Sequence, residues 1–278
     1  MGIWRMMEAL GKKAVSPRGC FAWLRFRFAG NQRGARGKTK SWLRLSPCPP
    51  CSPWLIALAL IAPTPALALT ETPQQHAARI RNDEIATCRP AEIITWPDGK
   101  DRPAVVRPMR FAYNPAGAPA EMTETLTTAL LTQAIAGWSG CGVGGELIPW
   151  RGAMEHRPDV VTVIWSDTES RNNFGLTNFG RRQLALGPGA FRLLRTRNPQ
   201  HDFRETMQMV IAHEMGHLYG LMAHSRRCVD VTSYYDNGRG EQCVTSNPTG
   251  RSGFAEYRHT LPTACDIQRC RRINGLTP

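Results

Sequence analysis

The stretch His213-Glu214-Met215-Gly216-His217-Leu218-Tyr219-Gly220-Leu221-Met222-Ala223-His224 sets two imidazoles four residues apart, a carboxylate after the first, and a helix-stopping glycine before a third imidazole. Residues four apart on an α-helix share a face, so His213 and His217 project together and can share one tetrahedral ion. Gly220 can adopt the left-handed conformation that ends a helix and turns the chain back. His224 then arrives from the loop as the expected third ligand, and an open fourth position is what separates a catalytic zinc site from a structural one. Glu214 is placed to take a proton from a water at the metal. Imidazoles suit zinc, whereas the thioethers of Met207, Met209, Met215 and Met222 suit softer metals and are read as packing.

The flanking residues predict the helix independently. Asn198-Pro199 marks a turn, and Asp202 followed by Glu205 makes a capping-box-like start. Phe203, Met207, Val210, Ile211, Glu214 and Leu218 then recur at helical spacing, an apolar stripe beside the metal-binding face.

The 278 residues carry a formal charge of +13, which invites a nucleic-acid reading until the charges are located. Of the 35 basic and 22 acidic residues, 11 and one fall in residues 1–53, leaving 24 and 21 for residues 69–278, a net of +3. A mildly basic body without a clustered basic helix is no footprint for DNA or RNA. The basic excess belongs to a leader, residues 1–68. Lys38, Lys40 and Arg44 precede the apolar run 54–62, and Ala66-Leu67-Ala68 offers small residues for cleavage near 68. That run is too short to span a membrane, so a cleaved export signal is expected rather than an anchor, and the protein is expected to be secreted or periplasmic. The residues before Lys38 imply either a start later than Met1 or a long signal n-region.

Without residues 1–68, nine cysteines become six: Cys88, Cys141, Cys228, Cys243, Cys265 and Cys270. An even number in an exported chain predicts up to three disulfides. Six cysteines allow 15 connectivities. Proximity along the chain favours Cys228–Cys243, Cys265–Cys270 and Cys88–Cys141, the second being the poorest geometry if both residues lie on one regular helix.

Residues 69–104 read as an N-terminal extension with a turn at Trp96-Pro-Asp-Gly99, and residues 105–278 as one catalytic body. The body reads strand, helix, strand, strand, edge strand, helix, irregular loops and helix. That order predicts an α+β fold, a mixed, twisted sheet packed on a long first helix and an active-site helix, with a short C-terminal helix. Gly142-Val-Gly-Gly145 follows a helix and precedes a strand, the wrong order for a phosphate-binding loop.

From the metal-binding stretch outward, the sequence resembles the metzincin metallopeptidases, most closely the matrixin branch, whose signature is H-E-x-x-H-x-x-G-x-x-H followed by a turn carrying Met. Met109-Arg-Phe-Ala-Tyr113 resembles the first strand, Glu121 to Trp138 the long first helix, and Val160 to Trp165 the central strand. Gln183 to Gly187 resembles the edge strand that lays out substrate, and Thr263 to Leu276 the C-terminal helix. The sequence departs from the pattern twice. Ala223 occupies the position of the third His, one residue before His224, and Thr232 stands where the turn Met belongs in Val231-Thr232-Ser233-Tyr234. The resemblance implies a monomeric zinc endopeptidase acting on protein or peptide substrates. His213, His217 and His224 would bind Zn2+, Glu214 would be the general base, and Tyr234, or its neighbour Tyr235, would help hold the oxyanion. Alternatives stay open. Asp230, or Glu241 or Glu256 as in gluzincin-like peptidases, could serve as third ligand, and Cys88-Arg89-Pro90 is faintly similar to the propeptide cysteine that blocks zinc in matrixins. The rival function is a non-catalytic zinc- or protein-binding module on the same fold.

Overall fold

A computed structural model describes residues 71–277 of the chain, so the leader expected over residues 1–68 lies outside the described residues. The elements follow in the order α1 (Pro73–Ala86), β1 (Met109–Tyr113), α2 (Glu124–Trp138), β2 (Gly145–Ile148), β3 (Val161–Trp165), β4 (Gly175–Asn178), β5 (Gln183–Leu186), α3 (Pro188–Arg197), α4 (Phe203–Leu218) and α5 (Ala264–Ile273). The strands form one sheet in the order β2-β1-β3-β5-β4, parallel except for β4, which runs antiparallel to β5 at one edge. This is the expected α+β class with a mixed sheet.

The central strands are apolar runs because both of their faces are covered. Phe111 of β1 and Val161 and Val163 of β3 are fully buried. On one face lie α2 and α4. On the other, Ala112 and Val160 pack with Met154, Ile148 and Trp150. The α4 helix is buried almost all round, as a helix running through a core must be. It is tied to α2 by the Trp138 Nε1–H, which donates to the Ala212 carbonyl at 3.0 Å, while the Trp138 ring stacks on Tyr219.

Three expectations need correction. Gln183–Leu186 is not an edge strand: β5 pairs with both β3 and β4, and Leu184 is fully buried. The edge is β4, whose Gly-Leu-Thr-Asn lacks the apolar alternation that marks a strand in sequence. Two helices also escaped the sequence reading. The Thr72–Gln75 capping box starts α1, and Pro188 at the first turn starts α3 directly after β5.

The third correction concerns the cysteines. Cys228–Cys243 forms as expected, but the other bonds are Cys88–Cys265 and Cys141–Cys270. Five residues along a helix turn the direction by about 140°. Cys265 and Cys270 therefore leave α5 on different sides, one reaching the segment after α1 and the other the end of α2. Cys88, bonded in this way, is not a zinc-blocking thiolate. Three disulfides fit an oxidising compartment rather than the reducing cytosol. No helix among the described residues is long and apolar enough to cross a membrane.

Candidate metal centre

Two of the candidate ligands, His213 and His217, come from α4 and the third, His224, from the loop its C-terminus releases. The helix starts at Asp202, whose carboxylate accepts from Arg204 N–H at 2.9 Å. It stops at Gly220, whose φ of +105° lets the Leu221 N–H return to the Gly216 carbonyl at 3.0 Å. The three rings then form a near-equilateral set. Ring centroids are 5.0 Å apart for His213 and His217, 4.9 Å for His217 and His224, and 5.2 Å for His213 and His224. One ring nitrogen of each lies within 4.8 Å of the other two.

The outer partners decide which nitrogens are free. His213 Nδ1 is 2.7 Å from the Val231 carbonyl, His217 Nδ1 is 2.7 Å from the Leu221 carbonyl, and His224 Nδ1 is 2.7 Å from a carboxylate oxygen of Asp98. Carbonyl and carboxylate oxygens only accept, so each Nδ1 carries a proton and each Nε2 keeps its lone pair. Nε2 of His224 is buried and has no hydrogen-bond partner among the described residues. Burial, with the neighbouring imidazoles, holds His213 well below the usual histidine range. Burial also brings His224 down to about 4, against the opposing pull of Asp98. Neutral rings are the metal-binding form. Three imidazoles whose Nδ1 atoms are all engaged by outer partners make a donor set that fits zinc.

The loop between Gly220 and His224 is pinned at Ala223. The Ala223 N–H donates to Asp101 at 3.1 Å, and its carbonyl accepts from Arg269. Thr232, not Met, lies in the turn that follows. Thr232 is fully buried, with its methyl against Gly216, where a Cβ would come within 2.8 Å of it. The Thr232 hydroxyl donates to Asp266 at 2.6 Å and the Val231 N–H donates to the same carboxylate at 2.9 Å. A hydrogen-bonded hook from α5 thus holds the turn whose Val231 carbonyl orients His213.

Glu214 is buried, and one carboxylate oxygen has no partner among the described residues. Burial raises its pKa, with His217 acting in the opposite sense. Its space is made by Gly175 in the edge strand, where a Cβ would lie 2.8 Å from Glu214 Cγ and 2.6 Å from Val210. Thr177 Oγ1 donates to the Glu214 carbonyl at 2.8 Å, so β4 lies directly on α4.

Of the two candidate tyrosines, Tyr234 is the one beside the histidines, its ring stacked on His224 at 3.5 Å. Burial, then the Glu214 and Asp98 carboxylates, push its phenol up, so it stays protonated. Tyr235 faces elsewhere: its hydroxyl accepts from the Tyr257 N–H at 2.8 Å and its ring lies under Arg251. The alternative third ligands are occupied away from the histidines. Asp230 accepts from Ser225, Thr263 and Arg227. Burial and Asp266 push its carboxyl up. Glu241 bonds Asn237, and Glu256 pairs with Arg258. A second cluster, Cys88, Glu92 and Cys265, has both sulfurs consumed in a disulfide.

Sequence reading missed Asp98, Gly175 and Asp266. A glycine inside a strand signals close approach of another group, but only after the strand is recognised. Asp98 sat in a visible turn signal whose distant partner no local pattern names.

No family model matches the chain, and no curated protein matches it. Among solved structures, one described as the GM1-bound form of the ECX AB5 holotoxin is similar over 68% of this chain and 92% of that one, at 13% identity and a TM-score of 0.40. That likeness is too slight to carry an argument about fold family or function.

Proposed function

We propose that this chain is an exported zinc-dependent endopeptidase of metzincin type, secreted or periplasmic. One observation carries the proposal: three imidazoles, each with its Nδ1 engaged elsewhere, bring a ring nitrogen within 4.8 Å of one another beside a buried carboxylate that has an unpartnered oxygen. His213, His217 and His224 would hold the ion. Bound zinc supplies a Lewis acid that polarises a peptide carbonyl and acidifies water.

The chain's own residues do the rest. Glu214 accepts the proton of the attacking water and returns it to the leaving amine, and its burial-raised proton affinity suits both transfers. Tyr234, protonated and stacked on His224, donates to the oxyanion. The outer edge of β4, rather than the interior strand at Leu184, would pair with extended substrate backbone.

Cleavage of a denatured protein mixture tests this reading. Activity should vanish with a chelator and return with added zinc. A chain holding one zinc and cleaving nothing would instead be the non-catalytic binding module.

Gly175→Ala probes the contact between β4 and the base. The added methyl would press on both Val210 and the Glu214 side chain, so hydrolysis should fall by up to about 10²-fold, as a 1 Å misplacement can cause. Zinc content should be unchanged. Wild-type rates in this variant would show that the carboxylate position is not critical.

A further inference from the structure

Of the three outer partners that the histidine rings have, one comes from the segment before β1. His213 and His217 each donate to a neutral backbone carbonyl of the residues following α4. His224 alone donates to a carboxylate, and that carboxylate belongs to the segment before β1. Asp98 grips His224 twice. One oxygen accepts the backbone N–H at 3.0 Å, and the other is 2.7 Å from the ring Nδ1. Two bonds to one residue, at backbone and ring, fix the side-chain torsions that aim Nε2.

His224 stands one residue beyond the usual position, at the end of the loop pinned at Ala223. The loop is stitched along its length to the earlier segment. Arg102 N–H donates to the Gly220 carbonyl at 3.1 Å, Trp96 N–H to the His224 carbonyl at 2.8 Å, and Arg226 N–H to the Ile94 carbonyl at 2.9 Å. The segment is itself anchored to α5 by the Cys88–Cys265 disulfide and by Asp101, which pairs with the buried Arg269.

We propose that Asp98 is the positioning residue of the third ligand, and that residues 94–102 are a permanent part of the metal centre rather than a removable extension. The proposal rests on the zinc reading of the three histidines. Asp98 acts through His224: it fixes the tautomer, orients the ring and strengthens the imidazole as a donor. A segment that completes a ligand and is bonded covalently to the last helix is not shed to activate the site. It offsets the displaced histidine.

The test is zinc affinity of the full chain, measured by competition with a chromophoric chelator, for wild type, His224→Ala, Asp98→Ala and Asp98→Asn. Asp98→Ala should bind zinc about 10–100-fold more weakly, as loss of an outer partner does. Asp98→Asn, which keeps an oxygen acceptor and the side-chain shape, should fall between it and wild type. Should Asp98→Ala fail to fold, the near-isosteric Asn variant supplies the comparison. Visible absorption of the cobalt-substituted proteins reads the ligand geometry directly, which a fold-stabilising role remote from His224 would not move: the ligand-field bands should change in the Asp98 variants. A wild type that binds no zinc overturns the zinc reading and this proposal together. If His224→Ala loses zinc while both Asp98 variants match wild type in affinity and spectrum, the role of Asp98 is overturned and the zinc reading stands.

Discussion

Replacing Glu214 with Gln is expected to slow peptide hydrolysis by about 10²–10⁴-fold, the range general acid–base catalysis contributes, with zinc content and fold unchanged. Gln has nearly the shape of Glu, so the packing against Gly175 and Val210 survives. None of the three imidazoles loses its outer partner, since those partners are Val231, Leu221 and Asp98. What disappears is the carboxylate beside the histidines, whose proton affinity burial has raised. The zinc content of the purified variant separates loss of the base from loss of the metal. A zinc-loaded Gln variant with most of the wild-type rate would assign the base elsewhere.

The second large effect is on stability. Substituting Cys141 and Cys270 together by Ala should lower the free energy of unfolding by about 4–5 kcal/mol, because the bond closes a long loop. The two residues are 129 positions apart, and both are fully buried at the junction of α2 and α5. The same change at Cys228 and Cys243, separated by 15 residues, should cost about 3 kcal/mol. Denaturant unfolding under non-reducing conditions measures both. The order matters for the site, since α5 carries Asp266 under the Thr232 turn and Arg269 against the Ala223 carbonyl. Equal losses in the two pairs would mean that the unfolded chain is not constrained as loop length implies.

What the sequence disclosed and what it hid divide along one physical line, the distance in sequence over which an interaction is written. His213, Glu214 and His217 were legible because helical geometry converts a spacing of four directly into a shared face. The positions of β1 and, to within one residue at Val161, β3 were legible because strands covered on both faces are mostly apolar. The edge strand was not. Gly175–Asn178 follows the needs of the Glu214 side chain and of solvent rather than a strand pattern, so the more apolar β5 drew the assignment. The disulfides failed for the same reason: proximity along the chain is a poor guide once a helix sends Cys265 and Cys270 in different directions. His224 shows both sides. Its residue type and rough distance announced a ligand, but Asp98, which holds it in place despite the extra residue, lies 126 positions away in sequence.

Zinc K-edge X-ray absorption fine structure of the zinc-loaded, inhibitor-free protein measures the ligand set itself. Three imidazole nitrogens at about 2.0–2.1 Å and one further light atom are expected. A shell with only two imidazoles, or with sulfur, would contradict the convergence of His213, His217 and His224 on one ion.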